Sequence, residues 1–241
     1  MNKKNFYYNN YAKIAKKITK KDSHILSGRY KFMTKKYKYI YKDIFEKLSI
    51  NKLDDIFDIG TGDGKIINYL SNKCKSATTI DSEEIINRTT RKKNITYLKG
   101  NIHEEGKRIK KRFNKILVYS VVQHFQDLKE VVTFINLCLK LLKDEGMILI
   151  GDIPNQDMNL RYQNTKNYQK QSRIFDNNRK LYLTKLDREF FSSNKVRTIQ
   201  FSDKILFFLL NKFNTLNYET YILPQNKELP HSVKRVDLLI K

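Results

Sequence analysis

The chain has 241 residues, long enough for one domain with a substantial core and short for two. Its 48 Lys and Arg against 25 Asp and Glu give a formal charge of +23, and 40% of the residues are hydrophobic, as in a soluble globular protein. Two cysteines, Cys74 and Cys138, exclude a disulfide framework, and the longest apolar run, Ile205 to Leu210, is too short to span a bilayer. Met1 to Lys17 is basic without the apolar stretch of a secretory leader, so a cytoplasmic protein with reduced thiols is expected.

Over residues 1–50, Tyr7, Tyr11, Ile14 and Ile18 recur at helical spacing, as do Met33, Tyr37, Ile40, Ile44 and Leu48. Lysines fill the other faces, which predicts an N-terminal cap of amphipathic helices joined near Asp22–Tyr30. Residues 51–154 alternate in pattern. Apolar runs at Ile56–Ile59, Ala77–Ile80, Ile95–Leu98, Ile116–Val122 and Met147–Ile153 read as buried strands. The clearest helix between them is Asp127–Lys143, with Leu128, Val131, Val132, Ile135, Leu139 and Leu142 on one face and Cys138 as core packing. The turn Asp144–Gly146 is expected to end it. Alternating strand and helix implies an α/β, doubly wound, Rossmann-like and mostly parallel sheet.

Residues 155–200 are polar and patternless, an insert after the fifth strand that reads as a functional lid or as poorly ordered chain. An apolar helix, Asp203–Phe213, and two strand candidates, Tyr218–Leu223 and Val233–Ile240, fill residues 201–241 and would close the sheet, the last strand antiparallel. No repeat or linker marks a further domain, so one domain is expected over residues 1–241.

The strongest local signal is Phe57-Asp58-Ile59-Gly60-Thr61-Gly62-Asp63-Gly64, after a predicted strand and before the predicted helix Lys65–Ser71. Glycines there permit a tight turn, positive φ and close approach of a ligand to the backbone. Asp81 follows at the end of the second strand, where an acid in nucleotide-binding α/β folds accepts from ribose hydroxyls. The spacing is Gly-x-Gly-x-Gly rather than the dinucleotide fingerprint Gly-x-Gly-x-x-Gly. Asp58 sits inside a strand that should be apolar, and a buried carboxylate needs a partner. It either binds loop amides or faces a cationic ligand group.

At these residues the chain resembles the class I S-adenosylmethionine (SAM)-dependent methyltransferases. The resemblance extends from about Leu53 to Pro154 and includes Gly100-Asn101-Ile102, Tyr119-Ser120-Val121-Val122-Gln123-His124 and Leu141-Leu142-Lys143-Asp144-Glu145-Gly146. It implies SAM as cofactor, S-adenosylhomocysteine (SAH) as product and no metal. It also implies that Gly60, Thr61 and Gly62 contact the methionine part, Asp81 and Ser82 the ribose, and Asn101 and Ile102 the adenine, with Asp58, Tyr119 and Ser120 completing the donor site. Asn101 stands where the family usually has Asp, and its amide oxygen can still accept from the adenine amino group.

Methyl transfer from a sulfonium needs an acceptor held in line, water excluded and, for an alcohol, a base. His124, just past the fourth strand at the carboxyl edge of the sheet, is either the base, titrating near neutral pH, or a structural residue. His24, His103 and His231 read as surface or hydrogen-bonded residues. Tyr7, Tyr8 and Tyr11 either close over the donor or pack a helix. Arg29, Arg161 and Arg173 can bind an anionic acceptor bidentately or stand in solvent.

The charge has two readings: a nucleic-acid partner, or a composition rich in Lys, Asn, Ile, Tyr and Phe that AT-rich coding produces whatever the function. The lysines are spread along the whole chain. No Asn/Asp-Pro-Pro-aromatic motif, Pro-Cys pair or appended RNA-binding module is present. The expectation is therefore O- or N-methylation of a small anionic or sugar-like metabolite. RNA methylation and non-catalytic SAM binding are the alternatives, the latter disfavoured by the intact glycine turn.

Overall fold

The computed structural model describes residues 6–193 and 197–241. The basic start, residues 1–5, lies outside them. Helix α1 (Phe6–Lys17) is followed by two 3-10 segments, Lys20–Ser27 and Lys31–Lys36, and then by α2 (Tyr37–Lys47). The expected cap is thus present, although Met33 lies in a 3-10 turn rather than on α2. The alternating region contains β1 (Asp55–Ile59), α3 (Lys65–Leu70), β2 (Ser76–Asp81), α4 (Glu83–Ile86), β3 (Ile95–Lys99), α5 (Ile102–Glu105), β4 (Phe113–Tyr119), α6 (Leu128–Lys140) and β5 (Leu142–Pro154). There follow α7 (Gln156–Gln163), α8 (Lys166–Tyr182), α9 (Lys185–Ser193), α10 (Asp203–Asn214), β6 (Thr220–Pro224) and β7 (Arg235–Ile240).

The seven strands run in the order β3-β2-β1-β4-β5-β7-β6. The pairs from β3 to β5 are parallel, and β7 is antiparallel to both β5 and β6. Chain order reverses between β1 and β4, which opens a crevice at their carboxyl ends. Alternation along each strand divides the core between two faces. Ile116 and Val118 of β4 join Phe134, Ile135 and Cys138 of α6 and Leu206, Leu209 and Phe213 of α10. Leu117 and Tyr119 join Ile40, Ile44 and Leu48 of the cap and Ile67 and Leu70 of α3. A third cluster ties Ala15, Ile18, Ile25 and Leu26 to Ile85 of α4 and Phe190 of α9.

Three elements differ from expectation. Helix α6 ends at Lys140, and Asp144–Gly146 lies inside β5, which starts at Leu142. The strand absorbs this turn as an irregularity in its pairing with β4, with Glu145 at φ 58. The fourth strand ends at Tyr119 rather than Val122, because Ser120 adopts φ 60 and a 3-10 turn, Val122–His124, follows. The insert is helical. Tyr168, Phe175 and Tyr182 place one aromatic every two turns on α8; Phe175 packs on Tyr30, Phe32 and His231, and Tyr182 on Phe32. A stripe that sparse lies below the density by which a helix is recognised in sequence.

Candidate active site

The glycine turn leaves β1 at the crevice. Gly60 and Gly62 have φ of 82° and 55°, open to glycine at little cost. A Cβ on Gly62 would stand 2.8 Å from the carbonyl oxygen of Leu26. This glycine therefore lets the cap approach the turn, and a valine there would push the cap away as well as crowd a ligand. The turn is laced to the cap by Asp63, whose N–H donates to Ser27 Oγ (3.2 Å) and whose carboxylate accepts from Tyr37 Oη (2.7 Å).

A first cavity runs along this turn. Asp58, Gly60, Thr61, Gly62, Asp81, Asn101, Ile102, Tyr119 and Ser120 all border it, as do Tyr7, Tyr8, Tyr11, Arg29, Glu130 and His124. Asp58 is buried and accepts from Thr79 Oγ1 at 3.3 Å; burial pushes its pKa up to about 7. Asp81 accepts from the amides of Gly62 (3.1 Å) and Ser82 (2.8 Å), and burial lifts it to about 6. Two desolvated carboxylates on one wall suit a ligand that brings positive charge and hydroxyl donors, which fits a sulfonium nucleoside. Ser82 departs from expectation. It is buried, it caps α4 by accepting from Ile85 N–H, and it does not border the cavity. Asn101 borders the cavity while its amide oxygen accepts from His103 N–H at 2.9 Å, capping α5.

A second cavity, of about 610 Å³, opens beside the first. Tyr7, Tyr11, Ser27, Arg29, Tyr119, Ser120 and His124 belong to both walls. The carboxyl ends of β4 and β5 meet here. Ser120 and Asp152 both take left-handed backbone, at φ 60 and 63, a conformation that non-glycine residues hold only under tertiary constraint. Ser120 Oγ donates to Asp152 Oδ2 and accepts from Arg29 Nη2 at 3.2 Å. Asp152 also holds Arg235 Nη1 at 2.7 Å and Arg29 Nη2 at 3.7 Å. Burial pushes the Asp152 carboxyl up, but Arg235 and Arg29 outweigh it and hold it below the usual range. Asp237 accepts from the Asp152 amide (2.8 Å) and from Lys47 Nζ (2.6 Å), anchoring this cluster to α2.

His124 packs against Tyr7 at a tilt of 31°, ring centroids 4.6 Å apart, and meets Tyr11 edge-on at 5.6 Å. Burial, then the charge of Arg235, push its pKa down to about 4. The expected titration near neutrality is thus corrected: the imidazole is neutral at pH 7 because its surroundings are desolvated and positive. Arg161 and Arg173 are corrected too. Arg161 lies outside both cavities, paired with Asp203 at 2.7 Å on the surface, and Arg173 is exposed outside both. Among the other histidines, His24 contacts buried Asp187 of α9 at 3.3 Å, whereas His103 and His231 border the first and second cavities. The sequence reading missed Ser27, Asp152, Lys234 and Arg235 altogether. Among the described residues, no group of three or more His, Cys, Asp or Glu side chains could hold a metal ion.

A doubly wound sheet with a glycine turn, buried acids and an adjoining polar cavity at its switch point is the architecture of a nucleotide-binding α/β fold. Residues 57–150 match the family model described as a methyltransferase domain. Over these residues the chain carries a methyltransferase domain similar to those of the class I SAM-dependent enzymes, which makes it an enzyme with SAM as its cofactor. Its fold is that of the N-methyltransferase NodS from Bradyrhizobium japonicum WM9, solved in complex with SAH (TM-score 0.54, 15% identity, 85% of this chain and 86% of that one). It is also that of the plantazolicin methyltransferase BamL, in complex with a triazolic desmethylPZN analogue and SAH (0.57, 16%, 86% and 84%). DhpI, solved with SAH, is similar as well (0.56, 10%, 87% and 87%). No curated protein sequence matches the chain. Among the described residues, no helix is long and apolar enough to cross a membrane.

Proposed function

We propose that the chain transfers the methyl group of SAM to an oxygen or nitrogen of a small anionic or sugar-like metabolite seated in the second cavity. The observation that carries this reading is the shared wall: Tyr7, Tyr11, Arg29, Ser120 and His124 separate and join two adjacent cavities. When bound, SAM supplies an electrophilic methyl group on a good leaving group. The glycine turn, Asp58 and Asp81 would hold and orient it, with Asn101 and Ile102 at the adenine. Tyr8 and Tyr11 would close the donor side and exclude water. Arg29, fixed by Ser120 and Asp152, would orient the acceptor from the other side.

An acceptor hydroxyl must lose its proton as it attacks, and an ammonium must lose one before it can attack. His124 is neutral at pH 7 and borders both cavities, so its free ring nitrogen can take that proton. Its low basicity suits transfer late in the reaction, when the attacking group has become acidic. Only His124 is asked to move a proton; the tyrosines and Arg29 bind and position.

The test is methyl transfer from SAM to a panel of phosphorylated, carboxylated and nucleotide-linked small molecules, run beside total RNA. Turnover with a small anionic acceptor, insensitive to moderate salt, is expected. Methylation of RNA, with binding that weakens steeply as salt rises, would replace this reading by the nucleic-acid one.

A further inference from the structure

The walls of the second cavity do not balance in charge. Among the described residues Arg29, Lys234 and Arg235 are the arginines and lysines that border it, and Asp152 is the only carboxylate that does. Asp152 lies between the two arginines and offsets one of them, so the charge of the other guanidinium and that of Lys234 stay uncompensated. Among the described residues no carboxylate stands within ion-pair distance of Lys234; its ammonium rests instead between the rings of Tyr162 (5.6 Å) and Tyr168 (5.5 Å). Arg235 uses Nη1 for the side chain and the carbonyl of Asp152, which leaves the rest of its planar fork for a ligand. The field these groups create acts on their neighbours. Burial first and Arg235 second lower the pKa values of Lys234, His124 and His231, the two histidines to about 4.

We infer that Lys234 and Arg235 form a subsite for a phosphate-type dianion in the acceptor cavity, so that the methyl acceptor is a phosphate monoester. The charge count favours this group: three cations less one carboxylate leave a surplus of two, which matches a phosphomonoester and exceeds one carboxylate or phosphodiester. Lys234 follows His231, whose φ of 65° begins the short 3-10 turn Ser232–Lys234, and the Lys234 carbonyl accepts from Asn155 N–H at 2.8 Å. The backbone of the subsite is thereby fixed to the start of α7. Tyr162 of α7 and Tyr168 of α8 cover the ammonium, which gives the insert a role in forming the subsite.

This inference rests on the acceptor cavity proposed above, and its test separates the two. Binding of inorganic phosphate, glycerol 3-phosphate, dimethyl phosphate and acetate to the SAH-loaded protein is measured at pH 8 and constant ionic strength, by ³¹P or ¹H NMR titration. Saturable binding of the two dianions, about tenfold or more tighter than either monoanion, is expected. Lys234→Gln should weaken phosphate binding about tenfold, and Lys234→Arg should retain it, with SAH affinity unchanged in both. Equal affinity for dianions and monoanions overturns the inference, as does Lys234→Gln with wild-type phosphate binding. Should Lys234→Gln also lose SAH, the wild-type comparison alone decides. If wild-type protein binds SAH but no phosphate, the subsite fails while the methyltransferase assignment stands; failure to bind SAH would strike that assignment first.

Discussion

The two halves of the site are made from different materials. The donor half is mostly backbone: a turn of three glycines, the amides that hold Asp81, and short side chains carried on consecutive residues at strand ends. The acceptor half is made of long side chains from remote segments. Arg29 comes from the cap, His124 from the turn after β4, Asp152 from β5 and Arg235 from β7. A backbone-built half requires glycine and a fixed spacing, so it has a linear motif. A half assembled from side chains requires only that the fold bring charges together.

The comparison is challenged hardest at His124, which belongs to both halves. His124→Asn should lower turnover by roughly 10²–10⁴-fold if the imidazole is the base, while SAH affinity measured by calorimetry stays within twofold or so. Because the wild-type group is held at about 4, turnover at saturating SAM and acceptor should be flat from pH 6 to 8 and fall only as pH drops toward that value. A wild-type limb near 6.5 would mean that the base is another group. Unchanged turnover in the variant would leave His124 a packing residue between Tyr7 and Tyr11.

Asp152 is next. Removing its charge leaves Arg29 and Arg235 facing each other across a buried site, and breaking such a pair costs about 3 kcal/mol. Asp152→Asn should show that loss in urea unfolding at pH 7. The sign with pH follows from the lowered carboxyl: the stability is present above the ordinary carboxylate value and is lost as pH falls through the depressed one. Wild type and variant should therefore converge below about pH 4. Equal stability at pH 7 would show that Ser120 and solvent already satisfy both guanidinium groups.

Legibility in the sequence divided along the same line. The strand and helix order, the antiparallel final strand and the glycine turn are legible in apolar runs, helical spacing and the spacing of the glycines. Asp58 stands out because a carboxylate in an apolar strand demands a reason, and Asp81 because it ends the second strand, where nucleotide-binding folds carry an acid. Ser82 caps α4 and does not border the first cavity, and a serine after a strand looks the same in sequence whether it caps a helix or meets a ligand. Asp152, Lys234 and Arg235 gave no signal, since a charge at a strand end is ordinary until its neighbours are known. The seven-residue spacing of Tyr168, Phe175 and Tyr182 was a signal for α8, hidden by the polar residues around it.

Asp81 sharpens the donor side. Asp81→Ala should weaken SAH binding by about 1.5–3 kcal/mol, roughly 10- to 150-fold, through loss of charge-assisted contacts. The wild-type protein offers a test without mutation. Burial lifts Asp81 to about 6 and Asp58 to about 7, so both take up protons in the free protein as pH falls below neutrality. Protonation removes an acceptor and a negative charge from the wall. Affinity for SAH should thus rise from pH 5 to about 7.5 and then level off. An affinity flat across that range would mean that neither carboxyl touches the nucleoside or its amino-acid part.

Arg161 should give the smallest effect, and that makes it informative. From the sequence it was as good an acceptor-binding arginine as Arg29. In the fold the two separate: Arg29 is buried between the cavities, and Arg161 is exposed on α7, bonded to Asp203 at 2.7 Å. Exposed pairs of this kind contribute little, because solvent screens both charges. Arg161→Ala should leave turnover, the Michaelis constant for the acceptor and SAH affinity all at wild-type values, in contrast to Arg29→Ala. A raised Michaelis constant in Arg161→Ala would require α7 to turn inward during catalysis and carry this arginine to the acceptor. The acceptor half would then be completed only in the loaded enzyme, and the division between a preformed donor half and a preformed acceptor half would fail at α7 first.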